Sequence, residues 1–344
     1  MDDSSAERKR APTMADVARR AGVSTAAVSY FLSGDSKQLR FVGQEARQRI
    51  LDAVTELNYV QNRAARQLRR RRAERIALLL PRLGVPFSDR IARDVQSAAA
   101  ASGFSTIIAA GDTPERVDRI VREIESGLAD GAIADWQHLP EAEVVRFADR
   151  LSAAGRPAVV FHPSVEPAGF SVVRQHTAEA VGMALDHLYE AGHRRIAYMQ
   201  HDKAAEGSRV AAYRRFVAAR TLPLEPVLLV GGAEARKAAF ANARTLASMP
   251  RPPTALFVES DLAAVTAIHA FEEMGLAVPG DIAVIGCGNI EEGEFSHPAL
   301  TTIGPETTRY DRLADHLIAL ITSRAGEAPT IFDVPWRLVL RASA

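Results

Sequence analysis

The sequence predicts an α/β protein: a small all-helical unit at the N-terminus, then a large body of parallel sheets. Three observations lead there. From Glu74 onward, short apolar runs alternate with helix-period segments, the texture of repeated β-α units joined by right-handed crossovers. Most of those runs are continuous, as in strands covered on both faces. The charge is also divided. Residues 1–75 hold 16 Lys and Arg against 9 Asp and Glu, a balance of +7, and the rest of the 344 residues is −7, because the whole chain has 42 of each. A basic head on an acidic body fits an end that faces nucleic acid; charge alone leaves a solvated basic tail equally open.

Residues 1–12 are polar and charged without periodicity, and order is expected from Thr13. The run Thr13-Met-Ala-Asp16 has capping-box form, with Val17, Ala18 and Ala21 as the apolar face behind it. Gly22 stands where a helix stops, and the Ser24 hydroxyl can cap a second helix over 25–32 with Ala27, Val28, Phe31 and Leu32 turned inward. Two short helices around a glycine turn make a helix-turn-helix pattern, in which Val28 plugs the joint. A third helix over 44–58 places Ala46, Ile50, Ala53, Val54 and Leu57 on one face. Gly43 at its start offers no capping side chain, and the preceding loop carries Lys37 and Arg40. The segment 62–68 has helix-forming residues after a capping Asn62 and is followed by the four arginines 69–72. It reads as a linker that folds against a partner, with a plain charged spacer as the alternative.

In the body, strands are expected at 75–80, 104–110, 131–135, 157–161, 195–199, 226–230, 254–258 and 282–285. Helices fall between them at 88–102, 114–128, 140–154, 177–191, 208–221, 235–248 and 260–274. Eight such strands allow one barrel or two doubly wound lobes. No glycine fingerprint for a dinucleotide and no phosphate-binding loop follows any strand. The nine histidines form no metal or catalytic motif, and the single cysteine, Cys287, excludes an internal disulfide and a cysteine-rich zinc site. It reads as a small hydrophobe at a strand end; His193 is expected to cap a helix end, and Glu291, Glu292 and Glu294 to lie on a solvated crossing loop. Neither an enzyme nor a cofactor is expected. No apolar run is long enough to span a membrane and the N-terminus lacks an apolar signal region, so a cytoplasmic protein is expected.

The segment 13–33, TMADVARRAGVSTAAVSYFLS, resembles the headpiece of the lactose repressor (LacI/GalR) family of bacterial transcription regulators. The likeness continues through 47–59 and through Asn62-Arg-Ala-Ala-Arg-Gln-Leu68, similar to the family's hinge helix. It extends to AGHRRIA at 191–197, DIAVIG at 281–286, PALTTI at 298–303 and LVLR at 338–341. The resemblance implies a headpiece over 13–60, a hinge over 61–73 and a two-lobed periplasmic-binding-protein-like body over 74–344. It further implies an N-lobe of about 74–162 and 291–324, a C-lobe of about 163–290 and 325–344, and crossings near 161–164, 289–292 and 324–329.

Function follows as expectation. A homodimer should bind a pseudo-palindromic double-stranded DNA operator and respond to a small-molecule effector held between the lobes. By resemblance, Thr25, Ala26 and Tyr30 match base-reading positions: a hydroxyl for a base edge, a methyl for thymine, and a ring bearing a hydroxyl. Ser24 and Ser29 are expected at phosphates, Thr13 as a further DNA contact, Asn62 and Ala65 on the hinge helix, and Leu68 as an apolar wedge in the minor groove. Effector contacts are expected from Phe87, Trp136, Arg209, Ser260, Asp261 and Asn289. Gly288 stands where the family commonly has a sugar-binding carboxylate and His176 where it often has Asp, which leaves Arg209 uncompensated and favours an anionic effector.

Overall fold

The structure is a computed structural model and describes residues 12–33, 36–60, 72–201, 207–222, 225, 228–233, 235–305, 309–323 and 328–344. The chain divides into two compact units between residues 71 and 72. The expected hinge residues Asn62, Ala65 and Leu68 lie outside the described residues.

The first unit is helical. Helix α1 (Met14–Ala21) is held at its start by the expected capping box: the Thr13 hydroxyl accepts from the Asp16 N–H at 3.3 Å and the Asp16 carboxylate accepts from the Thr13 N–H at 2.9 Å. Gly22 ends it in the left-handed region, φ 63°, and donates to the Ala18 and Arg19 carbonyls. Helix α2 (Thr25–Ser33) begins with the Ser24 hydroxyl accepting from the Ala27 N–H at 3.1 Å. A single turn, α3 (Ser36–Leu39), precedes α4 (Gln44–Glu56), whose first residue follows Gly43 without a side-chain cap. Arg47 supplies what the cap lacks, donating to the Val42 carbonyl at 2.7 Å and the Leu39 carbonyl at 2.6 Å, so the loop before α4 is pinned to the helix. Val17, Ala18, Ala21, Val28, Val42, Ile50, Ala53 and Tyr59 form the core, with Val28 fully buried at the joint.

The body contains two six-stranded sheets. The first has the order β11-β5-β4-β3-β1-β2, all parallel, built from β1 (Arg75–Leu80), β2 (Ser105–Ala110), β3 (Gly131–Asp135), β4 (Ala158–Phe161), β5 (Ser171–Gln175) and β11 (Ile331–Val334). The second has the order β12-β10-β9-β8-β6-β7, from β6 (Ile196–Met199), β7 (Leu229–Val230), β8 (Ala255–Val258), β9 (Ala283–Cys287), β10 (Thr301–Pro305) and an antiparallel edge, β12 (Trp336–Val339). Alternate residues of each strand enter opposite layers: Ala77 and Leu79 pack with Phe147 and Leu151, whereas Ile76, Leu78 and Leu80 pack with Ile91 and Leu317. The continuous apolar runs therefore arise because both faces are covered by helices. These helices are α5 (Pro86–Ala101), α6 (Pro114–Glu125), α7 (Glu141–Ala153) and α13 (Asp311–Thr322) on the first sheet. On the second they are α8 (Thr177–Glu190), α9 (Ser208–Ala219), α10 (Arg236–Ala247) and α11 (Asp261–Glu273).

The lobe boundaries differ from expectation. The chain crosses between sheets after Gln175, between Pro305 and Asp311, and between Val334 and Trp336, not near 161–164, 289–292 and 324–329. In each case one more strand joins its sheet before the chain leaves: Ser171 pairs beside Val159, Thr301 beside Ile285, and Ile331 beside Val172. Residues 163–175 and 331–334 thus belong to the first lobe and 291–305 to the second.

Two smaller expectations change as well, and that for Cys287 holds. Glu291–Glu294 is a four-residue helix, α12, inside the second lobe rather than a crossing. His193 caps the end of α8 through its backbone and not its ring: its N–H donates to the Leu188 carbonyl at 3.0 Å, the ring pairs with the Thr254 hydroxyl at 2.9 Å, and Arg194 donates to the Tyr189 carbonyl at 2.7 Å. Cys287 is the buried last residue of β9.

A candidate DNA-facing helix and a candidate ligand site

On the first unit, Ser24, Thr25, Ala26 and Tyr30 form the exposed face of α2, and Ser29 is half-buried beside them. This is the face opposite Val28 and follows from the helical period. Ser24 and Thr13 spend their hydroxyls on helix caps, Thr13 doubly so, with its hydroxyl donating to the Asp16 carboxylate at 2.6 Å. Tyr30 lies against the exposed ring of Phe41, centroids 6.2 Å apart and planes tilted by 47°.

In the body, ligands of such sheets sit beyond the carboxyl ends of the strands, and several of the expected residues are found there. Arg209, in the first turn of α9, faces Glu259 at the end of β8, Nε to Oε1 3.7 Å, and its guanidinium donates to Cys287 Sγ at 3.4 Å. Glu259 is buried and accepts from the Tyr198 hydroxyl at 2.8 Å and the His201 N–H at 2.9 Å, with the His201 ring at 3.3 Å. Burial alone would raise its pKa; the charge of Arg209 and the His201 contacts outweigh that and hold it at about 2. Burial pushes the Cys287 thiol up to about 12, so it stays protonated despite Arg209. The expectation of an uncompensated Arg209 is therefore corrected: its counter-charge comes from Glu259, fifty residues further along the chain.

Phe87, in the first turn of α5, packs on Trp336 of the second lobe at 5.5 Å and edge-on to Tyr310 at 6.2 Å. Arg90 of the same helix donates to the Asn289 carbonyl at 2.7 Å, a direct hydrogen bond between lobes. Asp135, the buried last residue of β3, is also within electrostatic reach of Arg209; burial pushes its carboxyl above the ordinary range, against hydrogen bonds from Gln137.

Three expected ligand residues are committed elsewhere. Trp136 is 1% exposed and packs on Phe147 at 5.7 Å, which makes it part of the first lobe's core rather than a ring offered to a cleft. Asp261 is 1% exposed and accepts from the Thr302 hydroxyl at 2.6 Å and the Ile290 N–H at 2.9 Å, fastening the turn after β9. Asn289, at φ 48°, accepts from the Arg341 guanidinium through its side-chain oxygen at 2.9 Å. Ser260 caps α11 through its backbone, with no side-chain cap hydrogen bond. His176 does not thin out acidic charge: its two ring nitrogens lie 3.1 Å from Asp333 and 3.2 Å from Glu179, and the Asp333 hydrogen bond first of all raises its pKa.

Sequence reading missed Glu259, Asp135 and Arg90 as site residues. The first two carried a signal, a carboxylate directly after an apolar strand, where a parallel sheet opens to ligand. Arg90 carried none, because its partner is a backbone carbonyl 199 residues away.

A helix-turn-helix unit followed by a two-lobed α/β body defines a DNA-binding transcription regulator with a ligand-binding body. Residues 13–62 match the family described as bacterial regulatory proteins, lacI family, and residues 185–344 match the periplasmic binding protein-like domain. The chain is 30% identical over 337 residues to an HTH-type transcriptional repressor PurR of Erwinia tasmaniensis, covering 96% of this chain and 97% of that one. A PurR of Vibrio campbellii is also 30% identical, over 333 residues, with coverage of 96% and 97%. Among solved structures, the lac repressor bound to ONPG in its repressed state superposes with a TM-score of 0.80 at 23% identity, covering 97% of this chain and all of that one. A transcriptional regulator CelR–cellobiose complex superposes at 0.65 with 25% identity and the same coverage. The chain belongs to the lacI family of bacterial regulatory proteins. No described helix is long and apolar enough to cross a membrane.

Proposed function

We propose that the protein is a repressor that binds a pseudo-palindromic operator as a homodimer and changes its operator affinity when a small molecule enters the interlobe cleft. The observation that carries this is the exposed face of α2, where Thr25, Ala26 and Tyr30 stand together while Val28 locks the helix to its unit. In this reading those three contact base edges, and Ser24, Ser29 and Thr13 lie along the phosphates. Asn62, Ala65 and Leu68 belong to the hinge, with Leu68 entering the minor groove. The relatives support the reading: the PurR proteins are named transcriptional repressors, and the CelR structure holds cellobiose.

The effector is read with Glu259 counted. The Arg209–Glu259 pair is neutral as a unit and offers both donors and acceptors, which suits a neutral hydrogen-bonding ligand, with Phe87 and Ser260 as further contacts. In the DNA test, operators are selected from a random pool and affinities measured by fluorescence anisotropy. Tyr30→Ala should weaken specific binding by about 1–3 kcal/mol and relax one half-site position. An unchanged selected sequence and affinity would refute the assignment. A thermal-shift screen of neutral sugars, sugar phosphates and nucleobases tests the cleft: a neutral ligand should stabilise the protein, and Arg209→Ala should abolish that stabilisation.

A further inference from the structure

Large apolar rings are seldom displayed on a rigid surface without a partner. Phe41 is 67% exposed, yet its backbone is tied into a hydrogen-bonded turn. Its N–H donates to the Gln38 carbonyl at 3.0 Å, and the next residue, Val42, is buried in the core with its N–H on the Leu39 carbonyl at 3.0 Å. Arg47 clips two carbonyls of this stretch, those of Leu39 and Val42. The exposure of the ring is therefore fixed by the fold and does not come from a loose loop.

The ring has two neighbours of consequence. Tyr30, itself 36% exposed, lies at 6.2 Å with a 47° tilt, a favourable aromatic geometry. The Arg40 guanidinium sits 4.9 Å from the centre of the Phe41 ring, within cation–π range. Phenol, phenyl ring and guanidinium thus make one continuous exposed surface that joins the face of α2 to the loop before α4.

We propose that Phe41 is a positioning residue for operator recognition: it holds the Tyr30 ring and the Arg40 guanidinium in one arrangement against double-stranded DNA and shields that side of Tyr30 from water. Two properties of this surface commit it to DNA. It is continuous with the face that presents Thr25, Ala26 and Tyr30, and it carries a cation on the basic end of the chain. A tyrosine has two soft side-chain torsions, so its hydroxyl can meet many base edges unless a neighbour limits them. Phe41 limits them, and so sharpens which base Tyr30 accepts. The inference rests on the reading of Tyr30 as a base contact.

A double-mutant cycle in the full-length protein tests it. Affinity is measured for the selected operator and for a scrambled duplex of equal length, with Tyr30→Ala, Phe41→Ala, both together, Phe41→Leu and Phe41→Tyr. Circular dichroism monitors the fold. Phe41→Ala and Phe41→Leu should each weaken operator binding about 2- to 10-fold, the range an aromatic pair supplies, and leave scrambled-duplex affinity within about twofold. Phe41→Tyr, which keeps the ring, should retain wild-type affinity. In the Tyr30→Ala background, Phe41→Ala should cost nothing further. The proposal is overturned if Phe41→Leu behaves as wild type, or if the loss is as large without Tyr30 as with it. A loss with Tyr30→Ala but none with any Phe41 variant refutes the positioning role alone. No loss with Tyr30→Ala refutes the reading of Tyr30 and the inference together.

Discussion

Glu259 and Asp261 stand two residues apart at the end of one strand and are perturbed in opposite directions. Glu259, held at about 2 beside Arg209, stabilises the fold above its unfolded value near 4.5, and that contribution is lost as pH falls from there toward 2. Asp261, pushed up to about 6 by burial against its hydrogen bonds, does the reverse: its ionised form costs stability above pH 6, and the cost is relieved as pH falls through 6 toward its unfolded value near 3.8. Asp261→Asn removes the titration and one acceptor for the Thr302 hydroxyl or the Ile290 N–H. It should therefore lower the melting temperature more at pH 5 than at pH 7.5; an equal loss at both would show that Asp261 does not titrate there. Gly286 lies against the same carboxylate, and a Cβ there would run into Asp261 Oδ1 and approach Leu300 to 2.8 Å. Gly286→Ala should cost about 1–3 kcal/mol in urea unfolding, as overpacking of a filled core does. At this scale the sequence was readable where the partner was local. Ser24 as a cap and the Thr13–Asp16 box lie within three residues of what they bind, and Val28 as a plug follows from the helical period. It was unreadable for Arg209 and Glu259, where two charges fifty residues apart decide whether the cleft is cationic or neutral.

Among the elements, the long apolar runs were legible, and the two strands at one side of each sheet, β11 with β5 and β12 with β10, were not. Leu78-Leu-Leu80 and Ala255-Leu-Phe257 announce a buried strand because both faces are covered. Strand β10, Thr301-Thr-Ile-Gly-Pro305, carries two residues that usually mark turns; its proline is tolerated because it ends the strand. Strands β5, β11 and β12 each include a charged residue, Arg174, Asp333 or Arg337, and gain their pairing from distant partners. Missing these strands displaced all three lobe crossings. The entry into β1 shows another long-range device. The buried Asp130 carboxylate accepts the N–H groups of Ala73 at 2.8 Å and Glu74 at 2.6 Å, and pairs with Arg156 at 3.3 Å. It anchors the chain at the point where the segment from the DNA-facing unit joins the body. Asp130→Ala strands the Ala73 and Glu74 N–H groups and takes the partner from a half-buried guanidinium, so urea unfolding should show a loss of about 3–5 kcal/mol. Arg156→Ala leaves the buried Asp130 carboxylate with its backbone donors alone and should cost less, and the two losses should be non-additive in the double variant.

For the whole molecule, a net charge of zero conceals a division of labour. The +7 of residues 1–75 must supply the sequence-independent attraction to DNA, because the −7 remainder repels it. Counterion release makes that attraction steep in salt: a dimer making about 6–10 phosphate contacts should lose roughly 10³- to 10⁵-fold in operator affinity between 50 and 200 mM salt. The four arginines 69–72 are the densest positive charge in the chain and follow Leu68 directly. Replacing all four by Gln should lower the slope of log affinity against log salt by about one for each arginine that touches a phosphate. It should weaken operator and scrambled duplex alike, because a phosphate contact carries no sequence information. Tyr30→Ala should do the opposite, lowering the ratio of specific to non-specific affinity while leaving the slope in place. Anisotropy titrations of both variants over a salt series separate the two. If the Gln variant keeps the wild-type slope, the arginines face solvent and the attraction comes from the helical unit alone. If it loses selectivity as well as slope, the linker takes part in reading the sequence.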